Sequence, residues 1–60
     1  METRAILDFF EENNCEISMY LIGCYLNFDI YSKVSGTWIL TDANDFMLKE
    51  FYLKCITPKN

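Results

Sequence analysis

Glu16-Ile17-Ser18-Met19-Tyr20-Leu21-Ile22-Gly23-Cys24-Tyr25-Leu26 holds the densest apolar run of the chain, and whether it forms helix or strand settles the architecture around it. Its β-branched and aromatic side chains favour a strand, and Gly23 argues mildly against a helix. Alternation along one strand over 16–26 puts Ile17, Met19, Leu21 and Tyr25 on one face and Tyr20, Ile22, Cys24 and Leu26 on the other. A strand with one wet face does not read this way, so both faces want cover.

Upstream, residues 3–13 read as a helix. Ile6, Leu7, Phe9 and Phe10 form one apolar stripe, and Asp8, Glu11 and Glu12 take the wet side. Thr3 is the expected N-cap, and Asn13-Asn14 the stop, because asparagine tolerates the left-handed conformation. Two acids near the C-terminal end oppose the helix dipole, so this helix depends on packing.

Downstream, 27–34 reads as a second strand, with Phe28, Ile30 and Val34 alternating against Asp29, Tyr31 and Lys33. Ser35-Gly36 is the clearest turn signal, and Thr37 to Thr41 is a third strand, giving a hairpin over 28–41. Residues 43–56 fit a helix capped by Thr41 or Asp42, with Asp45 in the first turn and Lys49, Glu50 and Lys54 along one exposed stripe. As a strand, the same segment would line up Met47, Phe51, Leu53 and Cys55. The expected fold class is α+β: a small antiparallel sheet of about three strands with an N-terminal and a C-terminal helix on one face. One N-terminal helix with a four-stranded antiparallel meander is the alternative. Residues 1–60 form a single small domain in this reading, with 57–60 a frayed tail around Pro58.

Composition excludes more than it assigns. The chain has 60 residues, 52% of them apolar and 17% aromatic, far too rich for a disordered segment. Residues 1–16 hold five acids and one base and so carry the whole net charge of −4; the rest hold four of each. Five scattered bases assemble no phosphate-binding face, so no direct nucleic-acid binding is expected. The apolar run is shorter than the roughly 20 residues a spanning helix needs, and no basic n-region precedes it, so neither membrane insertion nor a secretory signal is expected. Cys15, Cys24 and Cys55 have no C-x-x-C spacing and no histidine beside them, so no metal or cofactor is expected, and they read as buried, reduced thiols of a cytoplasmic protein.

Without histidine there is no imidazole base, and with two glycines there is no phosphate loop, so the chain does not read as an enzyme. The aromatic residues are the better lead. Tyr20 and Tyr31 fall opposite the face expected to carry the helices, and tyrosine and tryptophan dominate interface hot spots. The expectation is a non-enzymatic protein that binds another protein as a regulator or inhibitor, as a homodimer, with Asp8, Glu11, Glu12, Tyr20 and Tyr31 meeting the target. Small acidic chains of this kind are common products of phages and mobile elements, where they block a host or defence protein. Two alternatives are a DNA mimic that occupies a nucleic-acid-binding cleft and an accessory structural subunit of a complex.

Overall fold

The computed structural model describes residues 3–57. Five elements follow one another: α1 (Thr3–Glu12), β1 (Cys15–Ile22), β2 (Tyr25–Ser32), β3 (Thr37–Ala43) and α2 (Asp45–Ile56). The strands form an antiparallel sheet in the order β1-β2-β3. Both helices pack on the same face of it: Ile6, Leu7 and Phe10 of α1 and Leu48 of α2 share one core with Cys15, Phe28 and Ile30. This is the α+β arrangement read from the sequence, and the four-stranded alternative falls because 45–56 is helical.

The stripe on α1 works as expected, with Ile6, Leu7 and Phe10 buried and Phe9 partly so. Thr3 is the first residue of the helix rather than its cap. The helix stops where Asn14 enters the left-handed region at φ 62°, and the Asn14 carbonyl accepts the Lys33 N–H at 3.0 Å, which starts β1 alongside β2. Between the helices, Phe10 stacks on Phe51 at 5.7 Å and Phe9 meets Tyr52 edge-on at 5.1 Å. Such aromatic pairs contribute about 0.5–1.5 kcal/mol each beyond their burial.

The strand expected over 16–26 is corrected by the structure. It ends at Ile22, Gly23-Cys24 make a two-residue turn, and β2 starts at Tyr25, with Ile22 paired to Tyr25 and Leu21 to Leu26. Gly23 has φ +63°, the requirement at the first central position of a type II′ hairpin turn. The turn resets the alternation: Tyr25 joins the face of Tyr20 and Ile22, and Leu26 joins that of Met19 and Leu21. Lys33 and Val34 consequently leave the second strand for the four-residue turn that closes at Gly36, whose N–H donates to the Ser32 carbonyl at 2.8 Å.

The third strand runs two residues beyond its expected end and is irregular. Ile30 pairs with Leu40 but Tyr31 with Trp38, which leaves Ile39 extra; Phe28 pairs with Ala43, so Thr41 and Asp42 stand opposite Asp29 alone. Asp42 has φ 52° and belongs to this bulge; neither it nor Thr41 caps α2. The cap is Asn44, whose side-chain oxygen accepts the Met47 N–H at 2.8 Å. On α2, Lys49, Glu50 and Lys54 face outward as expected, but Phe46 and Leu53 are exposed among them, Phe46 at 68%. Phe46 is therefore a phenylalanine outside the core. At the other end Thr57 is the C-cap of α2, its N–H donating to the Leu53 carbonyl at 3.0 Å; the rest of the tail expected over 57–60 lies outside the described residues.

Candidate binding surface

Strand pairing places Glu16, Ser18, Tyr20 and Ile22 of β1, Tyr25, Asn27, Asp29 and Tyr31 of β2, and Trp38 of β3 on the face away from the helices. Trp38 is 57% exposed and Tyr25 73%, while Tyr20 and Tyr31 are half-buried by their neighbours. Tyr31 and Trp38 meet edge-to-face with ring centroids 5.1 Å apart, which fixes two large rings side by side over β2 and β3.

A polar network braces the other half of this face. The Tyr20 hydroxyl lies 2.6 Å from Asp42 Oδ1 and 2.9 Å from Asp29 Oδ1, and the Asp42 N–H donates to the same Asp29 oxygen at 2.8 Å. One residue from each strand is thereby tied to the other two. The hydrogen bond to Asp42, then burial, then the bond to Asp29 hold the Tyr20 hydroxyl protonated well above its ordinary range. The bulge in β3 is what brings Asp42 there, since its left-handed backbone turns the carboxylate toward Tyr20.

The three strands carry Glu16, Asp29 and Asp42 and no lysine or arginine. The open face is therefore acidic and aromatic together. Past the ends of the helices the β1–β2 hairpin also leaves Met19, Leu21 and Leu26 exposed on the helix side. The two-sided apolar reading of this stretch is thus explained by its position: its far end has cover on neither face. A shallow depression of about 360 Å³ lies beside it, lined by Ile22, Tyr25, Asn27 and Asn44.

The five residues singled out from the sequence fall on two opposite layers. Tyr20 and Tyr31 lie on the open sheet face, whereas Asp8, Glu11 and Glu12 lie on α1, on the far side of the sheet. Asp8 is also paired with Arg4 at 3.3 Å on the helix surface. A single flat partner surface cannot meet both groups. Trp38, Tyr25, Ile22, Asp29 and Asp42 were missed; strand parity counted from a turn at Gly23-Cys24 would have found Ile22, Tyr25 and Asp29.

The thiols also differ from expectation. Cys15 is buried, but Cys24 at the hairpin tip and Cys55 on α2 are exposed, and all three are free. Partial burial, and secondarily the neighbouring Cys15, push the Cys55 thiol up. Among the described residues no group of three His, Cys, Asp or Glu is placed to hold a metal ion, and no helix is long and apolar enough to cross a membrane. Comparison with protein-family models, with curated proteins and with solved structures found no match to the chain.

Proposed function

We propose that the chain is a non-enzymatic binding protein, a small regulator or inhibitor, that lays its open sheet face on a partner protein with a basic surface. The observation that carries this reading is the composition of that face: Trp38, Tyr31, Tyr25 and Tyr20 beside Glu16, Asp29 and Asp42, with no basic residue on any strand. Rigid aromatic rings supply contact area at low entropic cost, and they also receive arginine and lysine side chains over their faces. The surrounding carboxylates attract the same cations and speed encounter. The acidic flank of α1 stays outside this contact and keeps the chain soluble.

The test is capture of the binding partner from host lysate by the full chain, with Trp38→Ala and Glu11→Lys/Glu12→Lys compared against the wild type. A central tryptophan anchor contributes 2 kcal/mol or more, about a 30-fold change in affinity. Trp38→Ala is expected to lose the partner and the α1 double variant to keep it. Loss with the α1 variant but not with Trp38→Ala would overturn the assignment.

A further inference from the structure

The two edges of the sheet are unlike. β3 is blunted by two bulges and by the left-handed Asp42, devices that discourage pairing with another strand. β1 has none of them: it pairs with β2 in unbroken register over all eight residues, contains no proline, and has Glu16 as its one charge. In an antiparallel ladder alternate residues direct N–H and C=O away from the neighbouring strand, so the outer edge of β1 offers a row of such groups. Cover on the helix side is uneven as well. Cys15 is buried with Ile6, Leu7 and Phe10 and Ile17 packs against that core, whereas Met19 is 58% exposed and Leu21 70%.

We propose that the β1 edge pairs antiparallel with the β1 edge of a second copy, about a two-fold axis through Met19, to give a continuous six-stranded sheet. A strand is the occupant because the edge presents backbone groups, and a second β1 fits because the strand is self-complementary about that point. Pairing about Met19 sets Ile17 opposite the partner's Leu21 and Ser18 opposite the partner's Tyr20. The helix-covered half of each copy then lies beside the projecting half of the other, so that each α1 flanks the partner's Leu21. Centring on Ile17 instead would bring the two acidic α1 helices side by side, and centring nearer the turn would join the bare hairpin tips alone. With Glu16 the one charge on β1, the Met19 register puts no like charges opposite each other.

The axis is perpendicular to the sheet, so both helix layers lie on one side and both open faces on the other. The aromatic face proposed to bind the partner protein is left free and doubled in area. The pairing does not rest on that reading: a chain that bound its target as a monomer would leave the target reading intact.

The test is the mass of the full chain in solution, by sedimentation equilibrium. The wild type is expected at twice the 7.1 kDa chain mass. Met19→Lys and Met19→Glu each place two like charges on the axis and are expected to weaken the dimer by about 100-fold. Mixed one to one, they place Lys opposite Glu and are expected to restore it. Since Met19 is more than half exposed, both variants are expected to keep the circular dichroism of the wild type. Should either misfold, Leu21→Lys at a still more exposed position replaces it and is expected to be monomeric. A wild type that stays monomeric up to about 1 mM, a Met19→Lys chain that stays dimeric, or a charge-swapped mixture that stays monomeric would each overturn the pairing.

Discussion

The Tyr20 hydroxyl sits 2.6 Å from Asp42 Oδ1, joining the first strand to the third across a sheet in which those strands are not neighbours. Replacing Tyr20 with Phe keeps the ring and removes the only hydroxyl that ties these two residues, so the variant is expected to be less stable at neutral pH. The pH dependence follows from the direction of the shift. The folded hydroxyl titrates above its ordinary value of 10.0, so its contribution is complete below the unfolded value and is lost as pH rises beyond it. The stability gap between wild type and Tyr20→Phe is expected to narrow above about pH 10 in urea titrations. A gap that widened there would contradict the hydrogen bond as the cause.

Gly23 holds φ +63°, and a side chain added there would meet nothing within 4 Å. The penalty for replacement is therefore one of backbone conformation alone. Gly23→Val is expected to cost about 1–2 kcal/mol, and Gly23→Asn less, because asparagine is among the residues that accept the positive φ of such turns. Equal stability of the two variants in urea unfolding would show that the turn does not need this conformation.

Asn44 satisfies the Met47 N–H at 2.8 Å at the start of α2. Asn44→Ala is expected to cost about 1 kcal/mol, a fall in Tm of about 4–8 °C for a domain of this size. Thr41→Ala, three residues earlier and outside the cap, is expected to move Tm by much less. The comparison separates the cap from the general effect of truncation near the helix.

The three thiols are expected to react with an aromatic disulfide reagent in three stages. Cys24 is exposed at the hairpin tip and reacts first. Cys55 follows more slowly, because its raised thiol pKa leaves less thiolate at neutral pH. Cys15, buried in the core, reacts on the timescale of global opening. Substitution of each cysteine by serine assigns the phases.

Element type was legible in this sequence wherever period and punctuation agreed. Ile6, Leu7 and Phe10 recur at helical spacing and are buried as that spacing requires, and Ser35-Gly36 marks the second turn. The first turn was hidden because Gly23-Cys24 lies between Ile22 and Tyr25, with no asparagine, aspartate or proline to announce it. Missing it ran the first strand on to Leu26 and moved Tyr25 and Leu26 to the wrong faces, while Phe28 to Tyr31, read as a separate strand, kept theirs. The cap of α2 was misplaced for a related reason: Asp42 has the chemistry of a cap but is taken up by a bulge, a tertiary feature that local propensity does not encode. The candidate surface was half legible. Tyr20 and Tyr31 were found by alternation, which also places Asp29 beside Tyr31, while Trp38 needed the register of β3 and the carboxylate of Asp42 needed the bulge.

Whether the open sheet face is where the chain meets its partner is tested most directly by site-specific photo-crosslinking in the host cell. A photoreactive aromatic side chain, which keeps a large ring at the position, replaces Trp38 in one variant and Glu12, on the opposite layer, in another. A discrete adduct with one partner protein is expected from position 38 and none from position 12. An adduct from position 12 with none from position 38 would place the contact on α1 and contradict the assignment.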